Sequence, residues 1–538
     1  MVLHMNAYQS LKLKKMKVLK LLFTVNIALI MLVSSCKKDK ITAETPINTT
    51  NASRLELTKD SLFLYAKQVY LWNDALPTYE AFNPRKYATL DLELFALTQL
   101  KINPSTGLPY EYIADDKGQI MEPKYSYIED LVASGKISFV NEKSAVGLDG
   151  EGNDFGFGGF SALGDKTDYK VYIRYASPSS PLAKNGIGRG DYIDEINGQK
   201  IGTNYTSELN FLNTTLFSTT STSITIGGKK KNGQSYNVSL LRTKYTSNPV
   251  LKDTVLTTAN VKVGYLAYAR FSTTENSEAV LNAAFAKFSV QNVENLIIDL
   301  RYNGGGYVST ARQLINLIAP VSLNGSLMFS ETYNSMMQNG QATILKNQPV
   351  RDQNNKIIYQ NGKMVTYADY SYAKSTNSFN FSKLGNLNNV KKVVFILGGG
   401  TASSSELVIN CLKPHIDVKI VGAQSYGKPV GFFPIRIDKY DVYYSMFSTT
   451  NSLGQGDYFA GFTPNSLKID DITRDFGDSA EIRTAAALSY IANGNFPASA
   501  TSSLKVDNVS TPVSATTIRD IGEPASFRGM IETTLRKQ

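Results

Sequence analysis

The sequence predicts a multidomain α/β protein, and three observations carry that expectation. First, the chain has 538 residues, too many for one hydrophobic core, so several domains are expected. Second, residues 258–490 repeat the order strand, glycine loop, helix, as in an α/β domain. Third, residues 54–135 have helical apolar spacing, whereas 140–245 are glycine-rich with short alternating runs. Hydrophobic residues make up 42% and charged residues 19%, which excludes a disordered chain and one embedded in a membrane along its length.

The N-terminus stands apart. Lys12, Lys14, Lys15, Lys17 and Lys20 precede the apolar run Leu21 to Val33, which Thr24 and Asn26 interrupt. A basic stretch, a short apolar stretch and small residues form a secretory signal, and the run is short for a permanent spanning helix. Val33-Ser34-Ser35-Cys36 resembles the lipobox of bacterial lipoproteins. That resemblance implies a cleaved signal at 1–35, a lipid on Cys36 and a place in the bacterial cell envelope, periplasmic or outer-membrane. An uncleaved anchor helix is the alternative. Removing the five signal lysines lowers the formal charge from +10 to +5, so the basic balance is weak support for a nucleic-acid partner. Beyond Cys36 only Cys411 remains, which leaves no internal disulfide and no cysteine zinc site.

Residues 36–53 read as a tether. Residues 54–135 follow as a helical N-terminal domain, with Asp60–Tyr65 running on to Trp72 and a second run over Leu92–Leu100. The domain at 140–245 has strand candidates at Tyr169–Tyr175 and Ser223–Ile226. In the 258–492 core, the buried-strand run Leu296–Leu300 leads through Asn303-Gly304-Gly305-Gly306 into a helix over Ser309–Ile318. Val393–Leu397 leads through Gly398-Gly399-Gly400 into a helix over Ala402–Leu412. A Tyr- and Asn-rich insertion at 325–388 reads as hairpins. The tail at 493–538 reads as poorly ordered, apart from a short helix near Phe527–Leu535.

Chemistry is constrained by a shortage of histidine. The chain has two, His4 and His415. His415 lies beyond a helix about 15 Å long, at the end away from Ser403. A Ser-His-Asp triad and a histidine-ligated metal are therefore disfavoured. Lysine can act as a base when burial or a neighbouring cation keeps it neutral. Serine at a helix start is a suitable nucleophile, because unpaired N–H groups there can hold an oxyanion. Ser403 occupies such a place, and Lys428 follows the next strand, Val418–Val421. Serine also caps helices for purely structural reasons. Gly422-x4-Gly427-Lys428 approaches a phosphate loop, but Pro429 supplies no hydroxyl and no helix follows.

The stretch Thr401-Ala402-Ser403-Ser404-Ser405-Glu406, with Tyr426-Gly427-Lys428 downstream, resembles the tail-specific, or C-terminal processing, serine peptidase family. Asp299-Leu300-Arg301-x-Asn303-x-Gly305-Gly306 and Gly461-Phe462-Thr463-Pro464-Asn465 resemble its other core motifs. The resemblance implies a crotonase/ClpP-like core, Ser403 as nucleophile, Lys428 as general base, and oxyanion N–H groups from Gly305 and Ser404. It implies polypeptide substrates and no metal or cofactor. Many members carry a glutamine four residues after the lysine. Here Phe432 stands there, so the third role is unassigned. Glu406 is a polar neighbour of Ser403 that reads equally well as a structural cap.

The middle domain resembles the PDZ module inserted in that family, through Ser177-Pro178-x-Ser180-Pro181-Leu182-Ala183-x-x-Gly186-Ile187-x-x-Gly190-Asp191 and Ile196-Asn197-Gly198. A PDZ-like domain implies capture of a substrate C-terminus, with Phe155-Gly156-Phe157-Gly158 as the carboxylate-binding loop. Asp149, Glu151 and Asn153 lack the glycine and the final acid of a calcium loop. Two other classes remain: a peptide-binding lipoprotein with little turnover, and a structural envelope lipoprotein.

Overall fold

The computed structural model describes residues 49–114, 122–132, 146–352, 355–497, 519–521, 529–533 and 536. The signal at 1–35 and Cys36 lie outside the described residues. The chain divides at Ala52, and Ser53 to Gln538 form one unit.

That unit is built on a six-stranded sheet in the order Val250–Thr258, Val261–Tyr268, Asn295–Asp299, Lys392–Leu397, Asp417–Gly422, Ser466–Leu467. The first pair is antiparallel and the others are parallel. The central strands are buried from Asn295 to Asp299 and from Val393 to Leu397 because helices cover both faces, which is why Leu296–Ile298 and Val393–Leu397 are unbroken apolar runs. Alternation decides which face each residue serves. Leu296, Ile298, Val393 and Phe395 join the main core with the helices Thr274–Val290, Val308–Ile318 and Ser404–Leu412. Ile297, Val394 and Ile396 face the helix Ile482–Asn493 through Ala486, Ala487 and Ile491.

In the N-terminal segment, Ser53 and Glu56 cap Arg54–Val69 reciprocally, and Thr89 caps Leu90–Thr98. Leu62, Phe63, Ala66 and Leu94 belong to the same apolar cluster as Leu266 and Leu407, so these helices have no separate core. The segment expected to be helical also contains a strand, Tyr127–Asp130, paired with Tyr440–Tyr443. Its four residues meet a partner strand from a distant part of the chain, and pairing overrides local spacing.

The middle domain has its own core of Phe160, Val171, Ile193, Leu212 and Ile226. Its antiparallel sheet runs Phe160–Gly164, Tyr169–Ile173, Tyr192–Ile196, Ser223–Lys229, Ser235–Leu241, with the helix Tyr205–Leu216. Arg189 joins it to the α/β part by donating to Asp470, the Arg474 carbonyl and Tyr302 Oη.

The C-terminal tail departs from expectation. Residues 519–521 pair antiparallel with Phe160–Gly164. Gly529–Ile531, where a helix was expected, is a strand parallel to Gly305–Tyr307. A helix there would leave the open edges of Gly305–Tyr307 and Phe432 without backbone partners, and strand pairing satisfies both.

Candidate active site

Three chain segments meet at the C-terminal ends of the parallel strands. After Lys392–Leu397, the Thr401 hydroxyl donates to the Leu300 carbonyl at 2.7 Å and accepts from Gly398 N–H at 3.0 Å. This ties the turn to the neighbouring strand. Ser403 then takes φ 62° and ψ −112°, a conformation costly for a side chain with a Cβ. The helix begins one residue later, at Ser404 rather than Ala402.

The Glu406 carboxylate maintains this turn. One of its oxygens accepts Ser403 N–H and Lys428 N–H, each at 2.8 Å. The other accepts the Ser425 hydroxyl at 2.5 Å and Gly427 N–H at 2.8 Å. A single carboxylate therefore fixes the backbones of Ser403 and Lys428 side by side. Glu406 is fully buried. Burial pushes its carboxyl above the usual range, and the four donors pull it back down. Ser-x-x-Glu at a helix start was a readable capping signal, but its second partner, Lys428, was not.

Ser403 Oγ is buried and has no hydrogen-bond partner among the described residues. The bond between it and Lys428 is thus unmade. Lys428 is 1% exposed, and its Nζ donates to the Tyr125 carbonyl at 3.0 Å. It lies 4.4 Å from the Phe432 ring centroid and 5.8 Å from that of Tyr125. Phe432 therefore takes the expected glutamine's place beside the lysine and walls it off from water. Tyr125 is a site residue that sequence reasoning missed, because it comes from the N-terminal segment. Its hydroxyl also donates to the Gly427 carbonyl at 2.7 Å, and Glu111 holds its N–H at 3.1 Å.

The glycine strand completes the cluster. Gly305 and Gly306 have φ of 112° and 134°. A Cβ at Gly306 would fall 2.0 Å from the Phe271 carbonyl, so only glycine fits there. Ser404 Oγ donates to the Gly306 carbonyl at 2.8 Å, and Ser405 Oγ to that of Asn303 at 3.0 Å. These bonds hold the glycine strand against the helix start. Gly305 N–H donates to Asn303 Oδ1 at 2.9 Å. That amide is engaged here, a departure from the open donor expected of it. Behind the loop, Arg301 bonds Asp299, Asp470 and Glu481, so the Asp-Leu-Arg motif anchors the loop.

Phe155, Gly156, Phe157 and Gly158 lie in the middle domain, apart from this cluster. Both phenylalanines are buried in that domain's core. Gly156 N–H donates to Asp154 at 2.5 Å and Gly158 N–H to the Tyr175 carbonyl at 2.9 Å. In the loop expected to receive a carboxylate, the Gly156 and Gly158 amides are thus engaged within the domain. His415 bonds Ser452 at the far end of the helix. Among the described residues no group of three or more His, Cys, Asp or Glu side chains could hold a metal ion. No described helix is long and apolar enough to cross a membrane.

Residues 262–457, which contain every member of this cluster except Tyr125 and Glu111, match the model of Peptidase family S41. That stretch is similar to S41 peptidase domains. It is 24% identical over 277 residues to the carboxy-terminal-processing protease of Bartonella bacilliformis (strain ATCC 35685 / KC583 / Herrer 020/F12,63), covering 50% of this chain and 52% of that one. It is 25% identical over 275 residues to a chloroplastic C-terminal processing peptidase of Tetradesmus obliquus, covering 48% of each. The chain thus spans about half the length of the curated relatives it matches. Its fold is similar to that of a candidate S41 protease from Bacteroides fragilis NCTC 9343. There the TM-score is 0.53 at 20% identity, over 81% of this chain and 97% of the other. That likeness of fold reaches beyond residues 262–457.

Proposed function

We propose that the protein is a serine endopeptidase of the cell envelope in which Ser403 is the nucleophile and Lys428 the general base. The observation that carries this reading is Glu406, whose one carboxylate oxygen holds the N–H groups of both residues at 2.8 Å. It sets an unpartnered hydroxyl and a lysine buried against two aromatic rings in one cluster. A lysine removed from water is the condition a lysine base requires.

In this mechanism Ser403 Oγ attacks a peptide carbonyl carbon as its proton passes to the unprotonated Lys428 amine. Ser404 N–H, at the positive end of its helix, faces the developing oxyanion. Gly305 N–H joins it once its bond to Asn303 lengthens. Lys428 then returns the proton to the leaving amine as the C–N bond breaks, and water hydrolyses the acyl-Ser403 ester. The Tyr125 carbonyl orients the lysine, the task left open by the missing glutamine. Unmade catalytic bonds in a resting enzyme commonly tighten when substrate binds. The PDZ-like domain engages substrate C-termini, and acylated Cys36 anchors the chain to a membrane.

The unmade Ser403–Lys428 bond and Phe432 favour a second reading, peptide capture without turnover. The two are separated by incubating the chain from Ala52 onward, Ser403→Ala and Lys428→Ala with an unfolded protein and following fragments by mass spectrometry. Cleavage by the parent and a loss on the order of 10⁴-fold in both variants is expected. An inert parent that still retains an apolar peptide would favour capture.

A further inference from the structure

Gly529–Glu532 does not behave as a tail. Met530, Ile531 and Glu532 are 0%, 3% and 2% exposed, as hidden as the core strands. Backbone bonds hold the segment from two sides. Gly529 N–H donates to the Gly304 carbonyl at 3.1 Å on one edge. On the other, Phe432 N–H donates to the Met530 carbonyl at 3.0 Å and Glu532 N–H to the Phe432 carbonyl at 3.2 Å. The segment passes directly beside the serine. A Cβ built on Gly305 would fall 2.4 Å from the Gly529 carbonyl oxygen and 3.0 Å from Ser403 Cβ.

We propose that the channel between Gly304–Tyr307 and Phe432 binds polypeptide as a shared strand, and that the chain's own Gly529–Glu532 is its resident ligand, which a substrate must displace. The proposal rests on the peptidase reading only for the word substrate. The docked segment stands on its own geometry. Because the bonds on both edges are main-chain bonds, any extended sequence without a poorly placed proline can make them, and pockets supply the preference. Ile531 packs against Leu148, Phe432 and Tyr443. Beside it, Tyr307, Tyr367, Tyr370 and Tyr443 line a cavity of about 80 Å³. The position taken by Ile531 therefore accepts a larger apolar side chain than isoleucine.

Two features make the segment a replaceable ligand rather than a fixed strand. Glu532 comes against Glu331, itself fully buried, so two carboxyl groups share an apolar site with Arg312 as the opposing charge. A substrate with a neutral residue at that place avoids burying a second carboxyl beside Glu331. Residues 519–521 of the same tail pair with the strand Phe160–Gly164. One segment thus occupies the edge where a PDZ-like domain adds a peptide strand and the channel beside Ser403.

The test uses the full chain carrying Ser403→Ala, so that no turnover is needed, with a synthetic peptide of the sequence of residues 526–536. Hydrogen exchange of the Gly529 and Glu532 amides is followed with and without excess peptide, and peptide binding is measured by fluorescence anisotropy. The expected result is faster tail exchange when peptide is present. Adding Ile531→Lys should tighten peptide binding about tenfold, as when an occluding state populated nine times in ten is removed. Tail exchange that stays equally slow at the highest peptide concentration overturns the proposal, whether or not the Ile531→Lys chain folds. Displacement in a protein whose Ser403 form cleaves nothing would sink the peptidase reading and leave this one standing.

Discussion

Glu406 and Glu93 are both fully buried carboxyls on helices, and they differ in what surrounds them. Glu406 receives four hydrogen bonds, three of them from backbone N–H groups. Neither oxygen of Glu93 has a hydrogen-bond partner among the described residues. Burial raises Glu93 to about 9, with Lys59 pulling it down and Asp60 pushing it up. A carboxyl that organises a site is one whose donors exist only because the fold converges on it. A carboxyl without donors becomes a proton store linked to stability. Burial by itself therefore does not identify a functional acid.

The comparison is broken most severely at Glu406. In Glu406→Gln one carboxylate oxygen becomes an NH₂ group that faces backbone donors, so one or more buried N–H groups lose their acceptor. A fall in kcat on the order of 10²-fold is expected, with KM little changed, because the residue positions the dyad without touching substrate. A variant that loses affinity and keeps its turnover rate would show Glu406 to be merely structural.

At Glu93 the sign reverses. The folded state holds a proton that the unfolded chain releases above its ordinary value of 4.5, so the stability linked to it is full below that pH. It is lost as pH climbs towards about 9. Glu93→Gln should raise stability at pH 8 by on the order of 1–3 kcal/mol and leave stability at pH 4 nearly unchanged. Denaturant midpoints at the two pH values measure this. Equal gains at both would mean that packing, not the proton, is responsible.

Glu331 is the intermediate case and should give the smallest effect. It is pushed well up, first by burial and then by Glu532, and Tyr333 donates to it at 3.3 Å. Glu331→Gln relieves the carboxyl pair and should hold the tail more firmly, slowing peptide cleavage about threefold at pH 8. Faster cleavage would mean that the pair secures the tail instead of loosening it.

Local pattern and long-range convergence contributed differently to what could be read in advance. Leu296–Leu300 and Val393–Leu397 were legible as buried strands because parallel strands covered on both faces are apolar at every position. Gly305-Gly306 was legible as a glycine turn, and a Cβ there would fall 2.4 Å and 2.0 Å from the Gly529 and Phe271 carbonyl oxygens. The motifs that hold Ser403, Lys428 and Gly305 were legible because the members of each share one loop. Tyr127–Asp130 was not, since its partner strand lies about three hundred residues away and helical spacing over four residues is ambiguous.

The sequence by itself determined the α/β class and the glycine turns, and it offered a serine at a helix start and a downstream lysine as candidates, because each depends on residues close in the chain. Only the tertiary structure decided that Glu406 binds both of them and that Tyr125 holds the lysine. It alone also decided that Gly529–Glu532 fills the channel beside Ser403. Those contacts join segments separated by tens to hundreds of residues, and their main-chain hydrogen bonds leave no mark on side-chain composition.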